Sequence, residues 1–185
     1  MEMFLMSMGA IALALVLMYN YLIGKKNQVD NIFASVDAVL KQRYDLLPNL
    51  VATVKEYMTH ERETLEKITE LRAKALQGGL DAPAKMALDS QLSQALGGLM
   101  VAVENYPNLK ANENFLHLQH TLNELEEQIA AARRAYNQSV TDYNNAIEMF
   151  PTNIMAGFMH LTRRPLIAIT TSERRSVDVD HLFKK

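Results

Sequence analysis

Cysteine is absent from the 185 residues. That excludes disulfides, thiolate catalysis and cysteine-ligated zinc or iron–sulfur centres, and it leaves no thiol to acylate. Glycine and proline are scarce, at seven and five residues, too few for an all-β chain built on tight turns. A strong charge of one sign is also missing. The net charge is −2, without the basic excess that marks a nucleic-acid binder. No lysine or arginine precedes Lys25. The chain carries no His-Glu-x-x-His, no G-x-S-x-G and no phosphate-binding glycine loop, which removes the commonest signatures of metalloproteases, serine hydrolases and nucleotide binders.

What is there is apolar patterning at helical spacing. Hydrophobic residues make up 49% and charged residues 22% of the chain, enough for a sizeable core in about one domain. The dominant stripe runs Phe115, Leu118, Leu122, Leu125, Ile129, Ala132, Tyr136, Val140, Tyr143, Ile147, Phe150. Its steps of three and four predict a helix over residues 115–150, about 54 Å long at ~1.5 Å per residue. A helix with one such seam needs other helices against it in water. Val29, Phe33, Val36 and Leu40 mark a second stripe. Val51, Val54, Met58, Leu65, Ile68 and Ala75 mark a third, and Leu88, Leu92, Ala95, Leu99 and Val103 a shorter fourth.

The punctuation between these stripes is specific. Pro48 is expected to kink or break the helix that contains it, with Asp45 as a new N-cap. Gly78, Gly79, Asp81 and Pro83 read as a helix stop and start, with glycine at the C-cap, Asp81 at the N-cap and proline in the first turn. Gly97 and Gly98 inside the fourth stripe predict a close helix–helix contact or a local bend. Pro107 is expected to end that helix. Glu61 and Arg72 lie on or beside the third stripe and are expected to snorkel at its edge rather than form a buried pair.

Residues 3–23 read MFLMSMGAIALALVLMYNYLI, with no charge between Glu2 and Lys25. About 20 apolar residues suffice to cross a bilayer. Tyr19 and Tyr21 sit where an aromatic interface belt belongs, and Lys25 and Lys26 follow at once. A cleaved signal peptide wants a basic start and a small-x-small cleavage site, so an uncleaved anchor is expected, running past Gly24 straight into the first soluble helix. Lys25, Lys26, Lys41 and Arg43 after the span favour a cytoplasmic body, the opposite side being the alternative.

Several runs together are recognisable. They are Arg43-Tyr-Asp-Leu-Leu-Pro-Asn-Leu-Val51 with Val54-Lys55, the stretch from Glu104 to Phe115, Ile129-Ala-Ala-Ala-Arg-Arg-Ala-Tyr-Asn137, Tyr143-Asn144 and Phe150-Pro151. In order and spacing, over roughly residues 19–158, the chain resembles the LemA family. The resemblance implies a bacterial protein with one N-terminal membrane span and a bundle of long helices, usually described as four-helical. It implies no established activity and no catalytic residues to carry over. Some relatives are associated with membrane organisation. Phe33 stands where the pattern expects Trp, and the tail after Phe158 is not the expected ending.

Other chemistry is thin. His117 and His120 are three apart, but Glu113-x-x-x-His117 and Glu56-x-x-x-His60 have the wrong spacing for a helical di-metal site, so both histidines are read as solvated. Glu124, Glu126 and Glu127 read as a solvated face. The polar loop with Glu104, Asn105, Lys110, Asn112 and Glu113 is expected to cap helix ends, with partner binding the alternative. Ile154, Met155, Phe158, Met159 and Leu161, ahead of Arg163 and Arg164, predict one short apolar face. Its expected role is a cap on the open end of the bundle; the alternative is an amphipathic helix on anionic lipid. Leu166–Ile169 is a short apolar run, and residues 170–185 are expected to be polar and mobile.

The expected architecture is therefore all-α. A transmembrane helix (1–24) continues into an elongated antiparallel bundle of three to four long helices (25–151), followed by a short amphipathic segment and tail (152–185). No catalytic, cofactor-binding or metal-ligating residue is assigned, and no cofactor, nucleic acid or small-molecule substrate is expected. The expected function is a non-enzymatic scaffold in the bacterial inner membrane. It would work by self-assembly, through the small residues Ser7, Gly9, Ala10, Ala12 and Ala14 of the span, and by docking a membrane-protein partner. An adaptor for a membrane enzyme such as a protease is the alternative, and a metal-dependent bundle enzyme a more distant one.

Overall fold

A computed structural model describes residues 1–58 and 60–167. Among them every regular element is a helix: α1 (Glu2–Lys55), α2 (Arg62–Ala75), α3 (Ala82–Val103), the single turn α4 (Pro107–Lys110), α5 (Glu113–Glu148) and α6 (Thr152–Phe158).

Helix α1 is continuous for 54 residues, through Gly24 and through Pro48. The first expected interruption is thus absent, and Asp45 sits mid-helix, paired with Lys41 at 2.9 Å. The reason is local chemistry. Pro48 has no N–H to give to the carbonyl four residues back, which is that of Tyr44. The Nε of Arg72, reaching across from α2, donates to that carbonyl at 2.7 Å. The acceptor orphaned by proline is thereby satisfied, as a buried backbone group must be. Arg72 therefore does more than snorkel. Glu61 is no partner of it: it precedes α2 as the N-cap residue and accepts from the Tyr106 hydroxyl at 3.0 Å.

The break falls instead between Lys55 and Arg62, where no glycine or proline marks it. Tertiary contacts hold it. The Tyr57 hydroxyl accepts from Asn112 Nδ2 at 3.1 Å, and Met58 is buried. Asp81 caps α3 by accepting from the Ala84 N–H at 2.9 Å, as its position predicts, and Gly79 takes a φ of 85°. Gly97 and Gly98 abut nothing, so the expected close contact does not exist there. Pro107 opens the one-turn helix α4 after α3 has ended at Val103. Within the polar loop, Asn112 accepts from the Phe115 N–H at 3.0 Å and caps α5, and Lys110 pairs with Glu104.

Helix α5 starts two residues before the predicted start and ends at Glu148. Eight of the eleven predicted seam residues are buried: Phe115, Leu122, Leu125, Ile129, Tyr136, Val140, Tyr143 and Ile147. Leu118 and Ala132 are half-buried. Phe150 is the exception. It lies beyond the helix end and is 79% exposed.

Helices α1 and α5 run antiparallel in a register set by contacts at four levels. Lys25 meets Asp142 (3.4 Å), Phe33 meets Tyr136 edge-to-face (5.9 Å between ring centres), Arg43 meets Glu126 (2.8 Å) and Tyr57 meets Asn112 (3.1 Å). Leu22, Val29, Val36, Leu40, Leu47, Leu50 and Val54 of α1 are buried. Each large aliphatic side chain so covered contributes about 1.5–3 kcal/mol. Before Leu22 nothing on α1 is buried, and apart from half-buried Met18 the apolar side chains there are exposed.

Candidate functional site

Two arrangements stand out, one at mid-length of the α1–α5 pair and one at the end where α1 leaves cover.

The first is a buried ionic cluster. Arg43 is 3% exposed. One terminal nitrogen donates to Asp89 and to the Ser93 hydroxyl, both at 2.9 Å, and the other meets Glu126 at 2.8 Å. One guanidinium thus joins α1, α3 and α5. Burial raises the Asp89 carboxyl above its usual range, and the positive charge of Arg43 beside it only partly opposes this. Tyr44, its hydroxyl buried, is likewise pushed up by desolvation. A buried charge left without its partner costs several kcal/mol, so the cluster locks three helices in one register. Glu126, read in the sequence as one of a solvated trio, is a member at the cluster's edge, and its side chain stays about half exposed. Arg43, counted there among the charges flanking the span, is also committed here. Nothing in this set offers a nucleophile beside a base.

The histidines do not join it. His117 and His120 are both exposed, and His120 lies 3.6 Å from Glu124 on its own helix. Among the described residues no group of three or more His, Asp or Glu converges. A cavity of about 680 Å³ lies between the end of α1 and α2, lined by Lys55, Met58, Arg62, Leu65, Glu66 and others. It mixes surface charge with core edge and holds no reactive pair.

The second arrangement closes the other end. After α6 the chain turns at His160 (φ 50°) and runs back along α5 as an extended strap. Asn144 donates from Nδ2 to the Arg164 carbonyl and accepts from the Arg164 N–H, both at 2.9 Å. Asn137 does the same for Ile167, at 2.9 and 2.8 Å. The Tyr143 hydroxyl donates to the Thr162 carbonyl at 3.0 Å. Arg164 pairs with Asp30 of α1 and lies 5.4 Å from the Tyr143 ring centre. The two pitches agree: seven helical residues rise about 10.5 Å and three extended ones about 10 Å.

Sequence reasoning missed the strap, yet its signal is legible. Tyr136-Asn137 recurs seven residues on as Tyr143-Asn144. Each tyrosine is buried on the seam, and each asparagine beside it holds the N–H and the C=O of one strap residue. The predicted apolar face of α6 also divides. Ala156 is buried, with Met155, Met159 and Leu161 packed on the core, while Ile154 and Phe158 face outward. Of the run Leu166–Ile169, Ile167 is buried; Ala168 onward, with the expected mobile tail, lies outside the described residues.

The sequence pattern of the LemA family matches residues 32–181. The chain belongs to the LemA family. That match passes well beyond Phe158, so the tail, which looked foreign to the family, falls within its pattern. Protein LemA of Metamycoplasma hominis is 30% identical over 179 residues, covering 97% of this chain and 82% of that protein. Magnetosome protein MamQ 2 of Paramagnetospirillum magneticum is 23% identical over 176 residues, and magnetosome protein MamQ of Magnetospirillum gryphiswaldense 22%. Each MamQ alignment covers 82% of this chain, which spans 65% of their length. Kinship with these proteins, together with the exposed apolar start of α1, suggests a membrane-associated protein.

Proposed function

We propose that this LemA-family chain is a non-enzymatic scaffold, anchored in the bacterial inner membrane, that acts by self-assembly and by docking a partner at the bilayer. On this reading residues 1–24 cross the membrane once. Residues 25–151 form an elongated antiparallel bundle of three to four long helices, and 152–185 close its membrane end and continue as a tail.

One observation carries the reading. A single helix is apolar and uncovered up to Tyr21, then striped and covered from Leu22 onward, with no joint between. Such a helix fits two solvents in succession, lipid and then a protein core. Its stiffness holds the body at a fixed attitude to the span, which suits a part that positions others. Lys25 and Lys26 at the junction favour a cytoplasmic body.

The absence of cysteine makes the test clean. Ala12→Cys is the sole thiol of its variant, and oxidation in native membranes is expected to yield a disulfide-linked dimer through the small-residue face of the span. A strictly monomeric product overturns self-assembly. A stoichiometric second protein recovered with that monomer would instead favour the adaptor reading. Protection of the C-terminus from protease in intact cells, lost when the inner membrane is permeabilised, is expected for a cytoplasmic body. Cleavage once only the outer layers are opened overturns that side.

A further inference from the structure

Away from the first 21 residues, eight large apolar side chains are exposed among the described residues; Leu76, Val101, Leu116 and Leu166 lie elsewhere, and the other four gather in one place. Met149, Phe150, Ile154 and Phe158 are 63%, 79%, 55% and 79% exposed. All four belong to the turn from α5 into α6. Phe150, Ile154 and Phe158 are spaced by four, and Ile154 and Phe158 share the outer face of α6. That face is held outward because the opposite one is committed. Ala156 is buried, Met155 and Met159 pack on the core, and the Thr152 hydroxyl donates to the Ala146 carbonyl at 2.6 Å.

The register of α1 against α5 fixes the height of this patch. Asp142 faces Lys25. From Asp142 to Glu148 is six residues, about 9 Å of helix, which brings the end of α5 level with Tyr19. Cover on α1 begins at Leu22, the first buried residue of the chain. The exposed patch therefore sits beside the stretch where the apolar helix emerges, level with the aromatic pair Tyr19 and Tyr21.

We propose that the α5–α6 turn is a second membrane contact, in which Met149, Phe150, Ile154 and Phe158 dip into the interfacial layer of the bilayer beside the span. This rests on the reading of residues 1–24 as a span. The occupant is lipid because the patch continues the uncovered apolar surface of α1 at the same height. An apolar cluster of this kind is stable in the headgroup–acyl boundary, where such side chains partition. The body is then held at two points, and its rotation about the span is restrained.

Tryptophan is absent from the chain, so single-Trp variants of the full-length protein report without background. Three are needed in vesicles of phosphatidylcholine and phosphatidylglycerol, with and without acyl-brominated lipid. Leu13→Trp reports the span. Phe158→Trp reports the turn. Val101→Trp, exposed near the far end of α3, is the solvent control. The expected result is a blue-shifted Phe158→Trp emission, quenched by brominated lipid about twofold or more, with Val101→Trp unquenched. Phe150→Trp is expected to repeat it. Quenching of Phe158→Trp no greater than that of Val101→Trp, with Leu13→Trp quenched, overturns the second contact and leaves the span standing. An unquenched Leu13→Trp overturns the span reading itself. A blue shift in Phe158→Trp that brominated lipid does not quench, and that fades on dilution of protein in lipid, overturns lipid as the occupant in favour of a second copy of this chain.

Discussion

The two halves of the α1–α5 pair are covered by different means. Beyond about Asp37 the pair is flanked by the helices α2 and α3, joined to it through Lys85–Asp37, the Arg43 cluster and Arg72. From Leu22 to Val36 the cover comes from α6 and the strap, which is extended backbone held by two asparagines and one buried isoleucine. In the first half side-chain packing carries the cover, and main-chain groups, the Tyr44 carbonyl apart, are satisfied inside each helix. In the second the strap has no helix of its own, so its peptide groups depend on side chains of α5. A helix hairpin is stable wherever its stripe is buried, whereas a strap of this kind depends on a few named hydrogen bonds.

That difference can be broken from either side. Arg43→Ala should have the largest effect, a loss of about 3–5 kcal/mol, because it strands a buried carboxylate. Thermal unfolding of the detergent-solubilised chain, followed by far-ultraviolet circular dichroism, measures it. Arg43→Met with Asp89→Leu should cost less than Arg43→Ala alone. Arg72→Met comes next, at about 1–3 kcal/mol for the stranded Tyr44 carbonyl. Pro48→Ala in the same chain restores the missing donor, so the double variant should recover part of the loss; no recovery would disprove that Arg72 stands in for the donor Pro48 lacks. Asn144→Ala with Asn137→Ala should lower global stability by less than Arg43→Ala. Amide exchange should rise at Arg164 and Ile167 and stay unchanged in α2 and α3. Equal loosening of both halves would erase the contrast.

The smallest expected effect is a slope with pH. Burial holds the Asp89 carboxyl above its usual value. Between the ordinary carboxylate range and that raised value the native state binds more proton than the unfolded one, so stability falls as pH rises through this window. The slope from one group is at most about 1.4 kcal/mol per pH unit. Asp89→Asn should flatten it, and an unchanged slope would assign the titration elsewhere.

Much of this was legible in advance, for reasons that differ between residues. The α5 seam and the Asp81 cap are local rules, periodicity and one side chain reaching three residues on, and both read correctly. Pro48 misled because its effect depends on Arg72, 24 positions away, and the break at 56–61 was hidden because its contacts come from Tyr106 and Asn112. Gly97 and Gly98 signalled a close contact or a bend, and the contact is not made. The ionic cluster escaped since Arg43, Asp89 and Glu126 look like surface charges until three helices converge. The strap left its trace in the repeated Tyr-Asn pair, but an extended partner has no period of its own to match.

With residues 1–24 as a span, as proposed, the unbroken run of α1 makes the molecule a lever. From Leu22 to Lys55 is about 50 Å of stiff helix, continuous with the segment ahead of it. Helices in bilayers lean to suit the local hydrocarbon thickness. A lean of about 10° would swing the far tip sideways by roughly 9 Å over that length, so a small change in the thickness of the sheet becomes a displacement as wide as a neighbouring helix.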